Sequence, residues 1–275
     1  MNETDHVALV DTDRNELRGR IAAVAGEFER VARAADPDAR APRMEWTVRE
    51  VVAHVLTIAH RYREVMQGRM FRAANSPREV DVINREELDA AMASRPAVGS
   101  MLDQIRSLAV DIESFFDTVA EDAVFPFHCN IEISAIAAQT NWLGELLLHG
   151  EDIAKAADLP CRLRERDMLL VSRGLMEMAG AWVRDDIAPD VDVCVAFVVK
   201  EARPYVMHIH DGTAETRARR SGDRPDAVLR APASVLTAML YQRIGPMTAA
   251  RKGLFIVGGR RPWTALKLQS YFESA

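Results

Sequence analysis

Three side chains on two segments have the residue types and the spacing of a metal site. Glu145 and His149 are four residues apart within residues 131–156, a segment whose apolar pattern predicts a helix, so both lie on one helix face. That face is otherwise apolar, and a carboxylate buried there costs several kcal/mol unless it is paired or bound to a metal. No basic residue lies within one turn of Glu145 on this helix. Its partner must therefore come from another helix.

A second predicted helix supplies that partner. Its apolar stripe has His54 at its edge and consists of Val48, Val51, Val52, Val55, Ile58, Ala59 and Tyr62. Two imidazoles and one carboxylate form a three-ligand set with room for a fourth partner, which is typical of catalytic zinc, and helical bundles hold metals between facing helices. Two simpler interpretations stay open: a core histidine that is only hydrogen-bonded, and a Glu–His pair on a solvated helix face.

The other histidines are weaker candidates. His60 falls on a different helix face among charged residues, whereas His208 and His210 share one face of a predicted strand and could chelate a metal only with a third ligand. His128 and Cys129 precede the helix at 131–156. They are a candidate substrate contact, or simply a pair of loop residues.

The composition excludes several classes of protein. The chain has 275 residues, 48% of them hydrophobic and 28% charged, with a net charge of −6, which excludes a disordered chain and a disulfide-stapled mini-protein. Three scattered cysteines, an acidic N-terminus without a signal-peptide pattern and no run of 18 apolar residues favour a cytoplasmic location without a membrane span. HExxH, GxGxxG, Walker A and GxSxG motifs are absent, so zincin-type proteolysis is not indicated.

The charge and the periodicity divide the chain into two predicted domains. Residues 187–275 hold 13 basic and 8 acidic groups, which leaves 22 basic and 33 acidic groups in residues 1–186. Helical patterns fill the first part, and short β-like runs follow Pro189, so we predict an α-helical bundle at 1–188 and a smaller α+β domain at 189–275. The basic half has no dense Lys/Arg run with interleaved aromatics, so no nucleic-acid partner is expected.

Local signals place the individual helices. Helix starts are predicted after Asp13, behind a Thr47/Glu50 capping box and near Asn84. Residues 125–130 are predicted to form a loop before the helix at 131–156, and a further helix is predicted over residues 166–185.

Two of these segments resemble a known family. Residues 46–54 (WTVREVVAH) resemble the W-S/T-V-x-D/E-L/V-L/V-A-H signature of the mycothiol-dependent maleylpyruvate isomerase family, and residues 144–154 (GELLLHGEDIA) resemble its E-x-x-x-H-x-x-D-I/L-A segment. The second half more loosely resembles the sterol carrier protein-like domain that is often fused to this bundle. The resemblance implies a DinB-like four-helix bundle followed by a sterol carrier protein-like α+β domain.

The resemblance also implies the chemistry. It assigns a divalent metal, usually zinc, to His54, Glu145 and His149, and matches Asp152 to a family acid that either orients a ligand or is a surface acid. Mycothiol is the implied cosubstrate, and its metal-activated thiolate adds to a small-molecule electrophile. Both a thiol S-transferase and a maleylpyruvate-type isomerase stay open; for a dicarboxylate acceptor, arginines of the basic C-terminal half are candidate contacts.

Two other functions compete with the enzyme. The first is a non-catalytic protein that binds a small molecule or lipid in its C-terminal domain. The second is a regulatory, anti-sigma-like bundle with a zinc site, which is disfavoured because no suitably spaced cysteine is present.

Overall fold

The chain contains two structural units. The computed structural model describes residues 12–42, 45–120, 123–188 and 190–273. Its contacts separate a helical unit, Arg14–Leu163, from a second unit that contains Arg164–Ala275. Among the described residues, no helix combines the length and the apolar character that a membrane span requires.

The helical unit is a four-helix bundle with one additional helix. Its elements are α1 (Arg14–Ala34), α2 (Val48–Met66), α3 (Pro77–Met92), α4 (Val98–Thr118), β1 (Val124–Pro126), β2 (Glu132–Ser134) and α5 (Ala135–Ala156). Helices α1, α2, α4 and α5 pack against one another, and α3 packs against α2. The predicted helical bundle is therefore confirmed.

Helix α2 begins where the sequence predicts. The hydroxyl of Thr47 accepts a hydrogen bond from the Glu50 N–H, and the Glu50 carboxylate accepts one from the Thr47 N–H. This capping box satisfies two N–H groups that the first helical turn leaves without partners. The nine residues from Val51 to Ala59 are buried, and His60 is half-buried. Helix α2 is therefore a central helix of the bundle.

Two predicted boundaries in this unit are wrong. Helix α3 begins at Pro77 behind a Ser76 cap, so Asn84 lies inside the helix and not at its start. Helix α5 begins at Ala135 behind a Ser134 cap. The residues before it form the β1–β2 hairpin, whose strand pairing a helical periodicity does not reveal.

The second unit combines a mixed sheet with short helices. Its elements are α6 (Glu165–Glu177), β3 (Val193–Val199), β4 (Tyr205–His210), β5 (Thr213–Ala218), β6 (Ala227–Ala231), α7 (Ala233–Leu240), α8 (Pro246–Arg251) and β7 (Phe255–Gly258). The strand order is β5-β4-β3-β6-β7, and β3 and β6 are parallel while the other neighbours are antiparallel. The predicted α+β architecture is confirmed, and residues 262–271 form a 3-10 helix after β7.

The division between the units lies earlier than the predicted boundary at 188/189. Helix α6 packs against α7 and β5, and the Thr237 hydroxyl donates to the Met168 carbonyl at 3.0 Å. The contacts therefore divide the chain between Leu163 and Arg164. The sequence boundary follows the change from helical to strand patterns, and α6 is a helix of the sheet-containing unit. Pro189, where the pattern changes, lies outside the described residues.

Candidate metal centre

His54, Glu145 and His149 come together in the helical unit. The Glu145 Oε2 atom lies 3.3 Å from Nε2 of His149 and 3.6 Å from Nε2 of His54. One ligand atom from each residue lies within 4.8 Å of the others, and within the described part of the chain no other group of three or more His, Cys, Asp or Glu residues does so. The three predicted ligands thus form one cluster.

The antiparallel packing of α2 and α5 brings these side chains together. The Tyr62 hydroxyl donates to the Ala138 carbonyl at 2.6 Å. His54 lies about two turns before Tyr62 on α2, and Glu145 lies about two turns after Ala138 on α5. The helices run in opposite directions, so two turns back along α2 and two turns forward along α5 lead to the same level of the bundle. His54 therefore lies opposite Glu145.

Aromatic rings enclose one side of the cluster. His54 is 5% exposed, and its ring centroid lies 5.0 Å from that of Trp46 and 5.1 Å from that of His149. The Arg85 guanidinium lies 5.8 Å from the centre of the Trp46 ring, within the range of a cation–π contact. The Glu145 side chain retains 22% exposure, so a small ligand can approach the carboxylate from solvent.

Charge balance within the cluster depends on the two imidazoles. Burial by itself would raise the pKa of Glu145, but hydrogen bonding and charge from His149 and His54 outweigh burial and lower it. Burial lowers the pKa of His54. For His149, burial acts in the same direction, but the carboxylates of Asp152 and Glu145 outweigh it and raise the pKa to about 9. Near pH 7 the negative charge of Glu145 is therefore balanced by the positive charge of a protonated His149.

Asp152 lies behind His149, on the side away from Glu145. Its Oδ2 atom is 3.6 Å from Nδ1 of His149, and its side chain is 1% exposed. This distance is longer than a hydrogen bond, and Nδ1 of both His149 and His54 is buried without a hydrogen-bond partner. A carboxylate facing the distal nitrogen of a histidine is the arrangement that orients metal ligands. Asp152 is therefore not the surface acid that the sequence left as an alternative.

The remaining histidines lie elsewhere. His60 is half-buried on α2 and does not join the cluster. In the second unit, His208 pairs with Asp192 at 2.6 Å and His210 with Asp211 at 3.0 Å.

His128 is 4% exposed and lies in a 3-10 turn between β1 and β2. Its neighbour Cys129 has a φ of 58°, a left-handed conformation that a non-glycine residue adopts at some cost. The Cys129 N–H donates to the Ala74 carbonyl at 2.7 Å, which fixes the turn against the segment before α3.

One charged residue near the cluster is absent from the predicted site. Arg61 lies seven residues after His54, so it shares the same face of α2 two turns further on, and its charge contributes to the lowered pKa of His54. In the sequence, Arg61 belongs to a charged run with His60 and Arg63, which resembles a solvated helix surface. The seven-residue spacing from His54 is the signal that identifies its position.

The comparisons with known proteins match one family model and several solved structures. A family model described as the mycothiol maleylpyruvate isomerase N-terminal domain matches residues 8–154. The chain is similar to a crystal structure of mycothiol-dependent maleylpyruvate isomerase, with 14% identity, a TM-score of 0.50 and coverage of 90% of this chain and 95% of that chain. A histidine-to-alanine mutant of that enzyme has 13% identity, a TM-score of 0.48 and the same coverage. The first of these structures supports the fold. Among curated proteins, no significant match was found.

Proposed function

Because the chain belongs to the family defined by the mycothiol maleylpyruvate isomerase N-terminal domain, we propose that it is a mycothiol-dependent metalloenzyme. Its reaction would be the addition of a low-molecular-weight thiol to a small-molecule electrophile, as a thiol S-transferase or as a maleylpyruvate-type isomerase. The observation that carries this proposal is the convergence of His54, Glu145 and His149 on one point. We favour the broader transferase class because the metal cluster activates the thiol and does not select the acceptor.

Two of the three ligand separations match those of a tetrahedral zinc site, and all three lie within 4.8 Å. Zinc binds imidazole nitrogen and carboxylate oxygen at about 2.0–2.2 Å, so ligand atoms at tetrahedral angles lie about 3.4 Å apart. The separations from Glu145 Oε2 are 3.3 Å to His149 Nε2 and 3.6 Å to His54 Nε2. Three protein ligands leave one position open, which is the arrangement of catalytic zinc and not of structural zinc.

Each residue around the cluster has a separate task. His54, Glu145 and His149 would hold the cation, and Asp152 would keep Nε2 of His149 directed toward it. A bound divalent cation stabilises the thiolate form of a coordinating thiol, so it supplies a nucleophile near neutral pH. The Trp46 ring covers His54 and limits access of water from that side. The partly exposed Glu145 leaves a path for the thiol.

Metal content tests the proposal directly. We expect near-stoichiometric zinc by mass spectrometry in the wild type purified without a His-tag. His149→Ala removes one ligand, so this variant should lose the metal, whereas His60→Ala removes a half-buried histidine outside the cluster and should retain it. A wild-type protein that folds, contains no metal and resists zinc loading contradicts the metalloenzyme.

A second candidate function is the binding of a small molecule or lipid by the second unit. A cavity of about 630 Å³ there favours it, since ligand pockets typically measure about 300–1,000 Å³. Its lining combines apolar Leu169, Val198 and Phe255 with charged Lys200 and Arg230.

Glu145→Leu separates the two candidates. If the bundle is only structural, replacing this largely enclosed carboxylate by an apolar side chain should raise the free energy of unfolding. If the bundle holds a metal, the same variant should lose zinc and the stability that zinc adds.

A further inference from the structure

Arg61 directs one of its nitrogens toward a histidine and not toward a carboxylate. Its Nη2 atom donates to Asn84 Oδ1 and Glu87 Oε2, both at 2.7 Å, and its Nε atom donates to the same Glu87 oxygen at 3.0 Å. The remaining nitrogen, Nη1, contacts Nε2 of His128 at 3.5 Å. The Arg61 side chain is 10% exposed, so Nη1 is largely removed from water.

The hydrogen bond at Nδ1 of His128 shows which ring nitrogen carries the proton. Nδ1 lies 2.9 Å from the backbone nitrogen of Ala74 and accepts its N–H. A neutral imidazole that accepts at Nδ1 carries its proton on Nε2. Burial, followed by the charge of Arg61, lowers the pKa of His128 to about 4, so the ring is neutral at pH 7. The tautomer is therefore the one with an Nε2–H group.

Two hydrogen-bond donors consequently face each other. The N–H of Arg61 Nη1 and the N–H of His128 Nε2 are 3.5 Å apart, and neither can accept from the other. The opposite tautomer would only move the conflict to the shorter contact with Ala74. Buried donors of this kind are normally satisfied by an acceptor, and one oxygen can lie at about 2.9 Å from both nitrogens.

We propose that Arg61 Nη1 and His128 Nε2 form an oxyanion subsite that binds a carboxylate of the electrophilic acceptor. This assignment of the ligand rests on the proposed function, whereas the donor pair itself does not. Both donors belong to the helical unit, and Arg61 lies about 10 Å along the α2 axis from His54. In this proposal the acceptor carboxylate would contact the subsite, and its reactive carbon would point along α2 toward the three-residue cluster. This position is an alternative to the arginines of the C-terminal half that the sequence suggests for a dicarboxylate.

His128→Asn is the most selective variant. The asparagine Oδ1 occupies the place of Nδ1, so the Ala74 N–H retains its acceptor while the Nε2–H donor disappears. His60→Asn is the matched control, because His60 is half-buried on α2 and lies outside both the cluster and the subsite. Nitrogen NMR of the histidine rings independently reports the tautomer of His128, and the Nδ1–H form would overturn the premise.

Calorimetry with succinate, which does not react with thiols, measures the subsite. We expect His128→Asn to weaken succinate binding at least about tenfold, as for the loss of a hydrogen bond to a charged group. His60→Asn should bind as the wild type does, and dimethyl succinate should show no difference between the variants. Equal succinate affinity in wild type and His128→Asn overturns the subsite. Phosphate that binds as tightly as succinate, with the same dependence on His128, overturns the assignment to a carboxylate.

The metal state separates this proposal from the proposed function. Succinate binding is measured on zinc-loaded protein and on protein treated with a chelator. A dependence on His128 in both states supports the subsite even if the wild type fails to retain zinc. If the wild type holds stoichiometric zinc but binds succinate no better than His128→Asn does, the subsite is contradicted and the metalloenzyme is not.

Discussion

His149 has a carboxylate near each of its ring nitrogens. Glu145 lies 3.3 Å from Nε2, and the buried Asp152 lies 3.6 Å from Nδ1. The two carboxylates raise the pKa of the imidazole to about 9 against the effect of burial. A metal that replaces the proton at Nε2 would leave the interaction with Asp152 in place, because Asp152 acts on the opposite nitrogen. Asp152 is therefore a positioning residue in the proposed site.

Asp152→Asn should weaken zinc binding without abolishing it. The neutral amide no longer stabilises the orientation and basicity of His149, and loss of such a partner typically costs about 10–100-fold in metal affinity. Competition with a fluorescent chelator measures the affinity. Glu151→Gln is the control, since Glu151 lies one residue away and pairs with Lys155 on the same helix. An Asp152→Asn variant with wild-type affinity would show that the proximity to His149 has no effect on the metal.

The contact between α4 and α5 contains a second polar pair, away from the metal cluster. Gln139 on α5 donates to Oε2 of Glu113 on α4 at 3.5 Å, while the Oε1 atoms of both side chains are buried without a partner. Burial, and then the charge of Asp117, raises the pKa of Glu113 to about 7. The helices therefore pack best when this carboxyl group is protonated.

Glu113→Gln should stabilise the protein at alkaline pH and leave it unchanged near pH 4. The folded-state pKa lies above the unfolded value of 4.5, so the wild type loses stability as the pH rises from about 4.5 through 7. The amide has no such ionisation. We expect the variant to exceed the wild type by about 2–3 kcal/mol at pH 8, measured by urea unfolding at pH 4 and 8. Asp111→Asn, at an exposed position of α4, controls for the general loss of negative charge, and an equal gain there would contradict the assignment to Glu113.

The chain contains two units of different secondary structure. The helical unit holds the candidate metal cluster and the donor pair of Arg61 and His128, whereas the second unit has the sheet and a cavity of about 630 Å³. The three side chains of the cluster come from α2 and α5. A metal bound there should consequently stabilise the helical unit.

Zinc should slow hydrogen exchange selectively in the helical unit. At a free concentration of 100 times Kd, a metal that binds only the folded state adds about 2.7 kcal/mol, or about 100-fold protection of amides that exchange by unfolding of that unit. We expect this protection in α2 and α5 and unchanged exchange in β3 and β6, measured by mass spectrometry. Removal of the metal with a chelator should reverse it. Equal protection of the sheet would show that the two units unfold together.

Local patterns in the chain were sufficient to predict that His54, Glu145 and His149 lie together, and to predict much of the fold. The four-residue spacing of Glu145 and His149, the capping box of α2 and the alternation of helix and strand signals each depend on neighbouring residues, so the sequence predicts them. The start of α3 is also marked by neighbouring residues, because Ser76 and Pro77 form a helix-capping signal. The acidic residues after Asn84 resemble a second helix start, and the prediction followed that signal instead.

Contacts between distant segments required the folded chain. Arg61 and His128 are 67 residues apart, and their meeting depends on the β1–β2 hairpin and its left-handed turn residues, which no periodicity signals. The assignment of α6 to the second unit depends likewise on its packing against α7 and β5. Helical periodicity shows which side of a helix is apolar, but the identity of its neighbour follows only from how all the apolar faces pack together.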